Sequence, residues 1–111
     1  MLPKNKRLNL SKSFKWVAKG DKKETKYLKL NFRLGENENP LIGIALSKIY
    51  FPKSTQRNKA KRLAFSATDL TYPLLIKNLN LVIMPKVNIL KANPTLVAKD
   101  LQNVQDIIIP N

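Results

Sequence analysis

Four cationic side chains crowd into six consecutive positions near the middle of the chain, in the segment RNKAKR from Arg57 to Arg62. On a helix, Arg57 and Lys61 lie one turn apart, as do Asn58 and Arg62. An arginine guanidinium offers a planar fork to phosphate oxygens, and an asparagine amide offers both a donor and an acceptor. No acidic residue lies four positions on to neutralise these charges. The segment therefore predicts a surface that binds nucleic-acid phosphates, with a merely solvated charged face as the alternative.

The residue types that the chain lacks exclude several kinds of active site. Its 111 residues include no cysteine and no histidine. This excludes Ser-His-Asp and Cys-His nucleophilic sites, disulfides, and metal sites ligated by histidine or cysteine. The seven carboxylates form no convincing D-x-D pair, since Glu36 and Glu38 lie in a turn. We therefore expect no catalytic residue and no metal site in the chain, and a protein-only nuclease is the least favoured function.

The positive charge is concentrated in the first half of the chain. The net charge is +14, and residues 1–62 hold 17 Lys and Arg against 4 Asp and Glu, whereas residues 63–111 hold 4 against 3. Such a concentration repels itself unless a polyanion neutralises it, so nucleic acid or an anionic membrane is the expected partner. A membrane is disfavoured because the apolar face of the basic helix carries small alanines and not bulky anchors. No apolar run reaches the ~18 residues that span a bilayer, no signal peptide is evident, and the lack of cysteine fits the cytoplasm.

The elements that must position these cations follow from the spacing of the apolar residues. The length of the chain predicts a single domain over residues 1–111 that begins with an extended basic arm at residues 1–9. Apolar residues at helical spacing predict a first helix that begins at Leu10, with Asn9 or Ser11 as its cap, and Gly20 closes it.

Three further segments predict β-strands. From 25 to 34, apolar residues alternate with polar ones, which predicts one apolar face and one polar, basic face made of Tyr27, Lys29, Asn31 and Arg33. An aromatic residue beside cations is a combination that binds single-stranded nucleic acid by stacking and by neutralising its backbone. Residues 41–50 form a more continuously apolar run, typical of an inner strand, and residues 79–85 predict a third strand.

Two more helices are predicted around these strands. The basic segment belongs to a helix from Gln56 to Leu70, capped by Ser54 or Thr55. On a helical wheel, Arg57, Asn58, Lys61 and Arg62 lie opposite an apolar face made of Ala60, Leu63, Ala64, Ala67 and Leu70. A last helix opens at Asn93 and Pro94, and its core stripe is Val97, Leu101, Val104 and Ile108. The order is α-β-β-α-β-α, and a βαβ crossover within it would be right-handed on general grounds.

As a whole, roughly residues 2–105 resemble the bacterial ribonuclease P protein family. Five segments of that family have counterparts in the same order in this chain. The family's "LP…RL" corresponds to Leu2-Pro3 with Arg7-Leu8, and its "F..V..G" corresponds to Phe14, Val17 and Gly20. Its "GLSVSKK" corresponds in part to residues 43–48, its "RNR.KR..R" to residues 57–62, and its "D.VII" to "NLVIM". Three departures mark a divergent member. Lys59 and Phe65 stand where the family has arginines, and Phe51-Pro52 replaces a glycine-asparagine pair.

The resemblance implies a fold and a function. The fold would be α+β, an α/β sandwich with a four-stranded sheet and an unusual left-handed βαβ crossover, so a fourth strand is expected that the pattern does not reveal. The protein would be the RNA-binding subunit of ribonuclease P, an endoribonuclease that removes the 5′ leader from precursor tRNA. The catalytic RNA subunit would perform the chemistry with Mg²⁺, and the protein alone would not be catalytic. No membrane and no small-molecule substrate are implied.

The resemblance also assigns residues to two surfaces. Contacts to the RNA subunit would come from Arg57, Asn58, Lys59, Lys61 and Arg62. The single-stranded leader would lie in a cleft between the first helix and the sheet, at Phe14 and Lys48, to which the strand pattern adds Tyr27, Lys29, Asn31 and Arg33. The alternative for Phe14 is a core position, and the alternatives for Trp16 are a surface hydrophobe or a second stacking platform.

Two other functions remain to be weighed against this one. A ribosome-associated structural RNA-binding protein would share the charge and the small size, but it would not explain the ordered match of the segments. A DNA-binding module is less favoured because no helix-turn-helix spacing is evident.

Overall fold

The computed structural model of the protein describes residues 3–110. Its main elements are α1 (Leu10–Ala18), β1 (Asp21–Glu24), β2 (Leu28–Leu34), β3 (Leu41–Ile44), α2 (Ser54–Thr71), β4 (Leu79–Pro85) and α3 (Pro94–Gln102). The order is therefore α-β-β-β-α-β-α, which confirms the predicted α+β class and adds one strand to the predicted order. Met1 and Leu2, at the start of the predicted arm, lie outside the described residues.

The added strand is β1, an edge strand that pairs antiparallel with β2. All four of its residues, DKKE, are exposed, so no apolar alternation marks it in the sequence. Lysines at such an edge discourage pairing with a second chain. The neighbouring strand begins at Leu28 and not at Thr25, because Thr25 closes a turn in which its N–H donates to the Leu28 carbonyl (2.8 Å).

The strand β4 organises the sheet, whose order is β1-β2-β4-β3. It has the predicted bounds, and six of its seven residues are buried. It runs antiparallel to β2 and parallel to β3, so α2 connects two parallel strands as a βαβ crossover.

The predicted strand over residues 41–50 is wrong beyond Ile44. The Ala45 N–H still donates to the Ile83 carbonyl (2.9 Å), and the chain then leaves the sheet. A turn in which the Phe51 N–H donates to Ser47 O (2.9 Å) carries the Phe51 ring into the core, where it is completely buried. The apolar residues of this run therefore line a loop as well as a strand.

Helices cover the two faces of the sheet unequally. The larger core lies between one face and the helices α2 and α3, and its buried members include Leu28, Leu30, Phe32, Leu81, Ile83, Ala60, Ala64, Val97 and Leu101. On the other face α1 packs through Val17 against Val82. Gly43 permits this approach, because a Cβ there would lie 2.6 Å from Leu10. The smaller cluster leaves part of this second face open.

The helix ends agree with the predicted caps in two cases out of three. The Asn9 and Asn93 side chains accept hydrogen bonds from Lys12 N (3.3 Å) and Leu96 N (2.9 Å), which caps α1 and α3. The prediction for α2 is wrong, because the helix already begins at Ser54 and Lys53 is its N-cap.

Two apolar stripes differ in part from their prediction. Leu70, assigned to the core face of α2, is 56% exposed, whereas Thr68 and Thr71 are buried there. The helix α3 ends at Gln102, and a 3-10 turn, Gln105–Ile107, continues its apolar stripe into the core.

The N-terminal arm is docked on the sheet and not extended throughout. Lys4–Lys6 form a 3-10 turn, and Arg7 then bridges Ile42 in parallel. The Leu8 N–H donates to Ile42 O (2.9 Å), and its side chain is buried. The arm therefore lies along the free edge of β3.

Asp100 joins α3 to the turn before β2, and its removal should weaken the fold. Its carboxylate accepts hydrogen bonds from the Thr25 hydroxyl, from Tyr27 N (2.9 Å) and from Lys26 N (3.2 Å). Because hydrogen bonds to charged groups each contribute about 1.5–3 kcal/mol, Asp100→Ala should lower the free energy of unfolding by at least about 1.5 kcal/mol in urea titrations. Asp106→Ala is the control, since Asp106 makes an exposed ion pair with Lys23 (3.4 Å), and such pairs contribute about 0–1 kcal/mol. Equal losses would contradict the role given to Asp100.

Candidate nucleic-acid interface

The predicted RNA contacts on α2 differ in how far they are exposed. Asn58, Lys59 and Arg62 are exposed, as predicted. Arg57 and Lys61 are half-buried, because each lies three residues before a buried alanine, and residues at that spacing share a helix face. The prediction that Arg57 and Lys61 lie opposite the core is therefore wrong; they flank it.

Arg57 holds the loop that precedes its own helix. Its Nη1 donates to the Phe51 carbonyl (2.8 Å) and to the Pro52 carbonyl (3.1 Å). Phe51 is completely buried, so this clamp fixes the backbone of a core residue. Both hydrogen bonds use Nη1, so the other N–H groups of the guanidinium make no hydrogen bond to residues 3–110.

A shallow groove of about 390 Å³ runs along the exposed side of α2. Three of the predicted contact residues line it, together with Thr55 and Phe65; they are Asn58, Lys61 and Arg62. The structure therefore brings these three together. Lys59 is exposed but does not line the groove.

The charge of α2 is not neutralised from within the described residues. The two salt bridges found over residues 3–110 join Lys23 to Asp106 and Lys86 to Glu24, so neither involves α2. The N-terminal end of α2 carries the positive pole of the helix dipole, which favours a negative charge nearby. The first turn of α2 holds no acidic residue that could supply that charge. The local field therefore favours an anion at this end of the helix.

The half of the sheet that α1 leaves open forms a second concave surface. Its deepest part is a pocket of about 520 Å³ at the carboxyl ends of the parallel strands β3 and β4, lined by Glu24, Lys29, Ala45, Leu46, Ser47, Tyr50, Met84, Pro85, Lys86 and Val87. A groove of about 410 Å³ shares Glu24, Lys29 and Met84 with it and continues over Lys22, Lys23, Leu30 and Asn31. We call the pocket and the groove together the sheet cleft.

Two of the predicted leader contacts lie in this cleft. Lys29 is exposed and lines both parts of it, and Asn31, which is 8% exposed, lines the groove. Their side chains share the polar face of β2 because they are two residues apart on the strand.

Phe14 lies on the flank of α1 opposite to Trp16. The neighbouring Trp16 lies over the end of β2, where the Arg33 guanidinium is 4.6 Å from its ring centroid. Phe14 is about 200° away around the helix, and it is not among the residues that line the pocket or the groove of the sheet cleft. It is 36% exposed and belongs to neither core cluster, which argues against the core alternative.

Arg33, Tyr27 and Lys48 are placed outside the cleft lining. Arg33 stacks on Trp16 and donates to its carbonyl (3.2 Å), on the far side of α1. Tyr27 precedes β2 and packs against the larger core, so the strand alternation does not extend to it. Lys48 is exposed and follows Ser47, which does line the pocket.

The sequence reasoning missed Lys86 and Tyr50, which both line the pocket. The Lys86 ammonium lies 2.9 Å from Glu24 Oε1, and this hydrogen bond holds the pKa of the Glu24 carboxyl below its usual value. Lys86 directly follows β4, and the carboxyl ends of parallel strands are where ligands commonly bind in α/β sheets. The position of Lys86 would therefore predict a ligand-binding role only once the parallel pairing of β3 with β4 is known.

The chain is similar to known proteins in both sequence and fold. A family model described as Ribonuclease P matches residues 2–108. No curated protein matches the sequence. The structure of the RNase P protein from Thermotoga maritima in complex with 1-(4-fluorophenyl)-2-thiourea is similar, with 24% identity and a TM-score of 0.79 over 93% of this chain and 100% of that one. A mutant Staphylococcus aureus RNase P protein with defective mRNA degradation activity has 15% identity and a TM-score of 0.79 over 93% of this chain and 87% of that one.

These matches bear on different claims. At this level of identity the two solved structures show a shared fold, including the layered arrangement of a four-stranded sheet and three helices. The family model covers nearly the whole chain, including the basic helix and the sheet cleft. The chain therefore belongs to the ribonuclease P protein family.

Proposed function

We propose that this protein binds the catalytic RNA subunit through α2 and holds the single-stranded 5′ leader of precursor tRNA in the sheet cleft. As a ribonuclease P protein it is part of an endoribonuclease complex with an RNA subunit. The observation that carries the finer proposal is the separation of its two basic concave surfaces. The groove on α2 and the sheet cleft lie on opposite faces of one sheet, so two RNA segments can be bound at once.

The α2 surface suits a structured RNA backbone. The cations at Lys59, Lys61 and Arg62 are not neutralised by any carboxylate within residues 3–110, and each phosphate contact releases condensed counterions. Asn58 adds a donor beside them. Affinity would therefore be dominated by charge and would fall with salt.

The sheet cleft suits an unpaired strand. The lining of its pocket is mostly apolar and includes Met84 and Tyr50, together with Lys29 and Lys86. Bases can stack on the apolar floor and on Phe14 while Lys29 neutralises the backbone, which is how single strands are bound without a base code.

The protein would supply binding, and the RNA would supply the chemistry. Residues 3–110 bring no three carboxylate, histidine or cysteine side chains together in a way that could hold a metal ion, so these residues do not fit a protein Mg²⁺ site. We therefore propose that Mg²⁺ is held by the RNA subunit. Among the described residues, no helix is long and apolar enough to cross a bilayer. We propose the cytoplasm as the place of action because a chain without cysteine suits a reducing compartment.

The decisive experiment mixes the purified protein with the ribonuclease P RNA of the same organism at low Mg²⁺ and follows leader cleavage of precursor tRNA. We expect cleavage with both components and none with RNA-free protein, because the chain has no histidine and no other evident general base. Cleavage by the RNA-free protein after rigorous nuclease controls would refute the proposal. Failure to support cleavage, with co-sedimentation on ribosomes, would favour a ribosome-associated structural role instead.

Variants of the cleft should separate leader binding from binding of the tRNA body. With the assembled RNA–protein complex, Phe14→Ala and Lys29→Ala should weaken binding of leader-bearing precursor tRNA, since stacking contributes about 1–3 kcal/mol per base, and should leave affinity for mature tRNA unchanged. Lys99→Ala, which removes an exposed lysine of α3, is the control. Equal losses for precursor and mature tRNA would reject the assignment of the cleft.

A further inference from the structure

The basic surface of α2 contains one aromatic ring, that of Phe65, among its polar and cationic side chains. Phe65 lines the groove formed by Thr55, Asn58, Lys61 and Arg62. It also lines a smaller groove of about 160 Å³ on its other side, toward the N-terminal arm at Arg7 and the strand β3. Phe65 and Lys61 are the two residues that the grooves share, so together they form the ridge between them.

The ring is supported from below and accessible from above. Phe65 packs against the larger core, yet it is only partly buried. Its anchoring to the core fixes its orientation, and a ring that is already ordered loses little conformational entropy when a ligand stacks on it. The Lys61 ammonium lies 5.7 Å from the ring centroid, near the limit of about 6 Å for a cation–π contact. Its flexible stem can move that charge to a phosphate and leave the ring face open.

We propose that Phe65 is a stacking platform for one unpaired nucleobase of the RNA subunit, whose flanking phosphates are bound by Lys61 and Arg62. This rests on the RNA-binding surface proposed above and deepens it. A surface built only of cations binds any phosphate backbone, whereas an aromatic ring between the cations needs a base that is free of its helix. The α2 surface would therefore select a bulged or looped nucleotide and not a continuous duplex.

The roles of charge and of stacking have different signatures in salt titrations. Phe65→Leu keeps an apolar side chain against the core and removes the π face, so affinity for the ribonuclease P RNA transcript should fall about 5- to 150-fold. The slope of log K against log salt should not change, because no phosphate contact is lost. Phe65→Tyr should bind within about threefold of the wild type, since a phenol ring also stacks on a base.

A fluorescence experiment tests the contact directly. The chain has a single tryptophan, Trp16, so Trp16→Phe combined with Phe65→Trp leaves one indole, at position 65. Binding of the RNA transcript should quench its emission, whereas a perfect duplex of equal length should quench it less.

Leu70→Ala is the control for the affinity measured with Phe65→Leu. It truncates an exposed apolar residue of the same helix and should bind like the wild type.

The possible outcomes decide between the two proposals. If the wild type does not bind the transcript, the proposed RNA-subunit surface is wrong. If the wild type binds and Phe65→Leu binds equally well, or if the indole at position 65 is not quenched, only the stacking proposal is overturned. A loss of affinity in both Phe65→Leu and Phe65→Tyr, accompanied by a lower melting temperature, would make Phe65 a packing residue and would also overturn it.

Discussion

Replacing Lys59 and Arg62 by glutamate should reduce affinity for the RNA subunit about 100-fold or more at 0.1 M salt. Both side chains are exposed, so the fold should survive, since surface substitutions usually stay within about ±0.5 kcal/mol. Two charge-assisted contacts of about 1.5–3 kcal/mol each would be lost, and two repulsive charges would be added. The slope of log K against log salt should also shrink by about 0.7–0.9 for each lost contact.

The matched control changes the net charge by the same amount elsewhere. Lys77 and Lys99 are exposed lysines outside α2, and Lys77→Glu/Lys99→Glu should weaken binding only through the long-range field, which 0.1 M salt screens beyond about 10 Å. Equal losses in the two double variants would mean that net charge, and not the α2 surface, binds the RNA. A loss of affinity with an unchanged salt slope would mean that these side chains do not neutralise phosphates.

Arg57→Ala should destabilise the protein much more than Arg62→Ala, although both arginines belong to the same basic segment. Removal of the Arg57 guanidinium leaves the Phe51 and Pro52 carbonyls without the Nη1 donor that now lies 2.8 Å and 3.1 Å from them. A hydrogen bond that involves a charged group contributes about 1.5–3 kcal/mol, and each kcal/mol shifts the melting temperature of a small domain by roughly 4–8 °C. A fall of at least about 6 °C is therefore expected, measured by thermal unfolding.

Arg62→Ala is the control for Arg57→Ala, because Arg62 belongs to the same basic segment but is exposed. The Arg62 side chain makes no hydrogen bond to the part of the chain that the structure describes, so Arg62→Ala should leave the melting temperature within about 4 °C of the wild type. Equal melting temperatures for Arg57→Ala and Arg62→Ala would show that the clamp does not stabilise the loop. If the clamp holds, charge reversal at Arg57 mixes a folding defect with a binding defect, which is why the binding experiment uses Lys59 and Arg62.

Sequence periodicity alone was sufficient for the elements whose signal is local. The strand β4 and the asparagine caps of α1 and α3 lie where the pattern predicts them. Alternation also put Lys29 and Asn31 on the face that lines the sheet cleft. In each case the signal is the spacing of neighbouring residues, which the geometry of one helix or one strand converts directly into a face.

Two features could not be predicted from local spacing, because each depends on a contact with a segment elsewhere in the fold. The strand β1 is wholly exposed and has no apolar face, so only its pairing with β2 identifies it as a strand. The turn at Tyr27 is held by Asp100, which lies 73 residues away in the sequence.

The candidate site divides along the same line. The amino-acid sequence by itself determined that the chain is strongly basic and lacks cysteine and histidine, and that four of its cations cluster on one helix. Only the tertiary structure decided that Arg57 holds a buried loop, that Arg33 stacks on Trp16, and that Lys86 lines the sheet cleft. The physical reason is that a long cationic side chain can serve a carbonyl, a ring or a phosphate equally well. Which of these it serves depends on the backbone that folding brings within its reach.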